Sequence, residues 1–120
     1  MENRAFIRIP FEMSATIDVD GRSVAVRVRD LSIHGAFIEG VSDVSAGEGL
    51  TLRIKLGDGP DGPVIESRSK ITRLCDEGVG VEFVETGIES FGHLEAVVQA
   101  NSGDPERVLD EMQAYLAGKM

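Results

Sequence analysis

The sequence predicts an α+β fold that is mainly β, with six short strands in a small antiparallel barrel or sandwich followed by two C-terminal helices. Apolar and polar residues alternate along the first two thirds of the chain, which is the period of half-buried strands. Turn residues separate these runs with no helical pattern between them, and closure of the sheet protects its edge strands. In the last third the apolar residues recur at helical spacing instead.

The first two strands are predicted to form a hairpin. The run MSATIDV, residues 13–19, alternates cleanly and leads into Asp20-Gly21, residue types that adopt positive φ in tight turns. The run RSVAVRVRDLS, residues 22–32, then resumes the alternation with its valines inward and its arginines outward.

Four further strands complete the predicted sheet. They are AFI (36–38), LTLRIKL (50–56), VIESRSKITRLC (64–75) and VGVEFVE (79–85). The segment GDGPDGP, residues 57–63, is dense in Gly and Pro and predicts a turn.

Two helices are predicted after the last strand. The apolar residues of the first are Ile88, Phe91, Leu94 and Val98, and Asn101-Ser102-Gly103 supplies its stop. The second begins with Asp104 as N-cap and Pro105 in the first turn. Its apolar stripe comprises Val108, Leu109, Met112, Tyr115 and Leu116.

Composition narrows the class of protein. The chain has 120 residues, a net charge of −9 and a pI near 4.6, which argues against a DNA or RNA polymer as partner. It has no apolar run long enough for membrane insertion and no signal-peptide pattern. Its single cysteine, Cys75, excludes an intrachain disulfide and is expected to be buried; the cytoplasm is the expected location. Five of the nine arginines lie within residues 1–30, so a small anion could still find a basic patch.

Two short motifs stand out against this background. RAFIR, residues 4–8, places Arg4 and Arg8 before the first strand, and DLSIHG, residues 30–35, ends the second. Taken alone, each has an ordinary explanation: solvated arginines in the first case, and an Asx- or Ser-type turn with Gly at positive φ in the second. The order of the two motifs and their separation by one hairpin are together a more specific signal than either motif alone.

In this order the motifs resemble the PilZ domain family, over residues 3–85. RAFIR matches the RxxxR motif of the family through Arg4 and Arg8, and DLSIHG matches its [DN]xSxxG motif through Asp30, Ser32 and Gly35. The resemblance implies a six-stranded β-barrel that binds the bacterial second messenger cyclic di-GMP through these five residues. Many members have another Arg just before the pair. This chain has Asn3 there, which bears on whether one ligand or a stacked pair is held.

The residue types fit guanine chemically. One guanine edge offers the acceptors N7 and O6 to a guanidinium fork, and the opposite edge offers N1–H and N2–H to a carboxylate such as Asp30. Arginines also stack on purines and pair with phosphates. Ser32 could add a hydroxyl contact, and Gly35 would keep a Cβ out of the way of the ligand.

The expected organisation is one PilZ-like domain over residues 1–120. Residues 1–12 form a ligand-binding N-terminal arm, 13–86 the β-barrel and 87–120 a helical tail. We expect the arm to close over the barrel on ligand binding, because only a ligand with several charge-assisted contacts offsets the entropy of ordering it.

The function expected from this organisation is a cyclic di-GMP receptor that regulates an unidentified effector protein, as a monomer or homodimer, with no catalysis and no cofactor. No residue grouping has metal-ligand spacing. His34 could contact a phosphate of the ligand, but a solvent-facing turn residue is the expected role. One alternative is a degenerate PilZ-like adaptor that acts by protein contacts without binding nucleotide. A barrel for single-stranded nucleic acid ranks last, because aromatic residues are few and the charge is acidic.

Overall fold

The computed structural model describes residues 9–56 and 62–119, which form a closed six-stranded barrel followed by two helices. The strands are β1 (Ile9–Val19), β2 (Arg22–Leu31), β3 (Gly35–Glu39), β4 (Gly49–Lys55), β5 (Val64–Leu74) and β6 (Val79–Thr86). Around the barrel they run β1-β2-β3-β6-β5-β4, each antiparallel to its neighbours. The predicted fold is therefore confirmed, and because the sheet is closed it is a barrel rather than a sandwich.

The hairpin between β1 and β2 forms at the predicted turn, where Asp20 and Gly21 have φ of 52° and 77°. β1 begins earlier than the predicted strand, at Ile9 rather than at residue 13. The reason is a register shift between Pro10 and Met13, which interrupts the alternation while pairing with β2 continues on both sides of it.

The barrel interior is filled by the apolar residues that alternate along each strand. Its largest fully buried side chains include Ile17, Leu31, Ile38, Ile54, Ile71 and Phe83. The alternation predicted inward-facing residues correctly in β1, β2 and β4. Cys75 is an exception to the predicted burial, because it follows the end of β5 and is exposed in the turn to β6.

Helix α1 (Ile88–Ser102) packs against β5, and α2 (Pro105–Lys119) packs against α1. Gly103 ends α1 at φ 76°, and the Asp104 side chain caps α2 by accepting the Arg107 N–H at 3.2 Å. Both boundaries match the prediction.

The predicted apolar faces of the two helices are only partly correct. Leu94, Val98 and Val108 are buried, whereas Ile88 is 94% exposed and Leu109 is exposed. Ile88 is the first residue of α1, and the helix becomes partly covered only from Ser90 onward. The side chains of Met112, Tyr115 and Leu116, and residues 57–61 of the predicted turn, lie outside the described part of the chain. Neither α1 nor α2 could cross a membrane, judged over the described residues.

Candidate functional site

The turn between β2 and β3 is built around Ser32, whose side chain is almost completely buried. Its backbone N–H donates to the Gly35 carbonyl at 2.8 Å, and its hydroxyl donates to the same carbonyl at 3.3 Å. The hydroxyl oxygen accepts the backbone N–H groups of His34 and Gly35, each at 3.1 Å. A serine hydroxyl has one donor and two acceptor positions. All three are therefore used inside the turn.

Gly35 is required by the approach of β6. A Cβ on Gly35 would overlap the carbonyl oxygen of Val81, whose carbonyl carbon would be only 3.2 Å away. Gly35 is not among the glycines with positive φ in the described chain, so its left-handed freedom is not the reason for its presence. The glycine allows β3 and β6 to pair closely beside the turn.

Asp30 begins a row of residues that crosses four strands on the outside of the barrel. It is paired with Phe37 on β3, Phe37 with Gly80 on β6, and Gly80 with Arg73 on β5. A bulge between Val28 and Asp30 leaves Asp30 half-buried on the outer surface. In order, the row therefore contains a carboxylate, an aromatic ring, a glycine without a side chain and a guanidinium group.

Two arginines cover the ring of Phe37, which is only 4% exposed although it lies on the outer face. The guanidinium carbon of Arg29 is 4.7 Å from the ring centroid and that of Arg73 is 5.9 Å away, both within the range of a cation–π contact. Arg29 also donates to Glu39 at 3.0 Å, and this hydrogen bond raises the pKa of the guanidinium.

A groove of about 360 Å³ continues the site beyond the turn. It is lined by His34, Gly35, Thr72, Arg73, Gly80, Val81 and Glu82. Nε2 of His34 lies 2.9 Å from a carboxylate oxygen of Glu82. His34 lies in the predicted turn with its side chain 37% exposed, and the pairing of Gly35 with Glu82 brings the Glu82 carboxylate alongside it.

The two arginines of RAFIR lie outside the described residues, but the position of the chain next to them is known. Ile9, which follows Arg8 directly, is paired with Leu31, and Pro10 is paired with Asp30. The described chain therefore begins beside the DLSIHG motif.

Sequence reasoning did not identify Phe37, Arg73 or Glu82 as members of this site. They come from three different strands, and only the cross-strand register shows that they are neighbours of the turn. Among the described residues no cluster could hold a metal ion. The site thus presents hydrogen-bond acceptors and guanidinium groups, with the Phe37 ring beneath two of the arginines.

Comparisons with known proteins concern the sequence and the fold. The sequence profile of the PilZ domain matches residues 2–100 of the chain. A comparison with curated protein sequences gave no match.

Solved structures that share the fold include three with low sequence identity to this chain. The first, the inhibitor of motility MotI/DgrA of Bacillus subtilis, has a TM-score of 0.66 and 18% identity over 78% of this chain, which spans 48% of MotI. The PilZ domain of YcgR from Escherichia coli, solved with c-di-GMP, has a TM-score of 0.65 and 14% identity over 91% of this chain and 98% of its own. The PilZ domain of CeSA from a cellulose-synthesizing bacterium has a TM-score of 0.59 and 18% identity over 76% of this chain and 93% of its own.

Proposed function

The chain belongs to the PilZ domain family, and on that premise we propose that it is a receptor for cyclic di-GMP that has no catalytic activity and regulates a partner protein. The observation that carries the proposal is the register between β1 and β2. It pairs Ile9 with Leu31 and Pro10 with Asp30, which supports the proposal that the motif just before Ile9 and the motif beginning at Asp30 bind one ligand.

The proposed contacts follow the chemistry of guanine. Asp30 accepts the N1–H and N2–H donors of a base, and Arg4 and Arg8 donate to the guanine acceptors N7 and O6 and to the phosphates. Ser32 and Gly35 take part by a different route from the one their motif implies. Since the Ser32 hydroxyl is saturated within the turn, these two residues shape the backbone on which the ligand rests.

Signal transfer in this proposal depends on the arm of residues 1–12. Fixing the backbone of each residue costs roughly 1–2 kcal/mol, so the arm closes only when the ligand provides several charge-assisted contacts. Closure changes the surface beside β2 and β3 that a partner protein meets. The receptor would act in the cytoplasm, as a monomer or homodimer.

Titration calorimetry of the complete chain with three ligands tests this function. We expect saturable binding of cyclic di-GMP and much weaker binding of GTP and of a single-stranded oligonucleotide. No heat with cyclic di-GMP at ligand concentrations up to the millimolar range would favour an adaptor that works by protein contacts alone. Preferential binding of the oligonucleotide would instead indicate a nucleic-acid barrel.

A further inference from the structure

The side chain of Arg73 extends along the outside of the barrel toward the turn between β2 and β3. Arg73 is on β5, where it is paired with Gly80, and its guanidinium carbon lies 5.9 Å from the ring centroid of Phe37 on β3. Gly80 has no side chain, so nothing on the intervening strand β6 blocks this path at that position. A Cβ there would lie 3.6 Å from Cβ and 3.8 Å from Nε of Arg73, so a large side chain would compete with the arginine for the same space.

From this position the Arg73 side chain extends toward β3, the neighbour of the strand that carries Asp30. Neighbouring strands are about 4.8 Å apart, so the row from Asp30 to Arg73 spans about 14 Å between backbones. The arginine side chain covers part of that span, because it ends over Phe37, the pairing partner of Asp30. Within the described chain the Arg73 guanidinium forms no ion pair or hydrogen bond, and the residue is exposed.

Arg29 differs from Arg73 in this respect, although it covers the same ring. Its guanidinium is bound to Glu39 at 3.0 Å and is partly buried, so it is fixed by the fold. Arg73 therefore has a planar cationic group that is supported by the ring and available to a ligand in the adjoining groove.

From this arrangement we propose that Arg73 is a third ligand-contacting arginine, whose guanidinium stacks between Phe37 and a purine of the ligand. The inference rests on the proposed function and deepens it. Arginine planes stack on purine bases, and Arg73 itself lines the groove of about 360 Å³ in which a flat ring can lie.

The test compares the cyclic di-GMP affinity of four proteins: wild type, Arg73→Ala, Arg73→Lys and Arg68→Ala. Arg68→Ala is a matched control, because it removes the same charge from the same strand at an exposed pair with Glu85. We expect Arg73→Ala to weaken binding about tenfold, as loss of one stacking contact does, and Arg68→Ala by less than about twofold. Arg73→Lys keeps the charge but not the plane, so we expect it to bind as weakly as Arg73→Ala. Since Arg73 is exposed, its variants should change Tm by no more than about 5 °C.

The outcomes separate this inference from the proposed function. Wild-type affinity in Arg73→Ala would overturn the role of Arg73 while the receptor function stands. Full recovery in Arg73→Lys would overturn the stacking geometry, since charge alone would suffice. Absence of binding by the wild-type protein would overturn the receptor function, and the inference with it.

A double-mutant cycle with Phe37→Leu tests the stacked arrangement separately from the charge of Arg73. If Phe37 acts by supporting Arg73, Phe37→Leu weakens binding in the wild-type background and has little further effect in Arg73→Ala. Additive losses would contradict the proposed stack. Affinities are compared only under conditions where circular dichroism shows each variant to be folded, because Phe37 is buried.

Discussion

Ser32 and Gly35 are hydrogen-bonded to each other in both directions: the Ser32 N–H donates to the Gly35 carbonyl at 2.8 Å, and the Gly35 N–H donates to the Ser32 hydroxyl oxygen at 3.1 Å. The reciprocal pair closes the turn that follows Asp30. Two residues that a motif presents as ligand contacts thus have a demonstrable role in the fold, which can be measured without any ligand.

Ser32→Ala should lower the free energy of unfolding by about 1–3 kcal/mol, because the backbone N–H groups of His34 and Gly35 lose a buried acceptor. Urea denaturation measures the loss. Ser14→Ala, which changes an exposed serine on β1, is the control and should stay within about 0.5 kcal/mol of wild type. Equal stability of the two variants would contradict the structural role of the Ser32 hydroxyl.

Gly35→Ala and Gly92→Ala should change stability in opposite directions. At Gly35 the added methyl group would overlap the Val81 carbonyl of β6, and such overpacking should lower the free energy of unfolding by about 1–3 kcal/mol. At Gly92, inside α1, the added Cβ would have no atom within 4 Å beyond its chain neighbours and the backbone of its own helix, and alanine should stabilise the helix by up to about 1 kcal/mol. Thermal and urea unfolding of both variants test this contrast. A neutral Gly35→Ala would mean that β3 and β6 do not pair as closely as described.

The Asp18 carboxylate should make the free energy of unfolding depend on pH in the acidic range, because its pKa is lower than that of an ordinary aspartate. A hydrogen bond from Ser23 at 2.9 Å and one from Arg53, whose ion pair measures 2.6 Å, lower the pKa of Asp18 below 3.8. A lowered pKa in the folded state means that the stabilisation is complete above the unfolded value and is lost as the pH falls through the folded value. Asp18→Asn should therefore be less stable than wild type at neutral pH, and the difference should shrink below pH 3.8.

NMR titration of the same carboxyl group gives a direct check. Ser23→Ala removes the largest contribution and should move the pKa of Asp18 back toward 3.8. Titration of wild-type Asp18 at or above 3.8 would refute the assignment, as would a pH-independent stability difference for Asp18→Asn.

The fold could be predicted from the sequence because its strands alternate and its turns are marked. Asp20-Gly21 and Gly103 lie where the backbone has positive φ, and the Asp104 cap forms as its residue type indicates. The early start of β1 could not be predicted, because the register shift after Pro10 removes the alternation on which a strand prediction depends. The exposure of Ile88 was missed for another reason: helical spacing shows which residues share a face but not where the helix meets the sheet.

The residues of the candidate site could be grouped from the sequence only where they are close together along the chain. Asp30, Ser32 and Gly35 form one turn, so a short motif contains them. Phe37 and Arg73 are brought together by β3, β6 and β5, and no spacing along the chain indicates that pairing. The physical role of Gly35 also depends on a neighbour far away in sequence, since the carbonyl it must avoid belongs to Val81.

The most direct test of the receptor function is the affinity for cyclic di-GMP of Arg8→Ala and Asp30→Ala beside the wild-type protein, measured by titration calorimetry. Loss of charge-assisted hydrogen bonds at either residue should weaken binding by about tenfold to a hundredfold. Both variants should retain the wild-type circular dichroism spectrum. Unchanged affinity in both would contradict the assignment of RAFIR and DLSIHG to one ligand site.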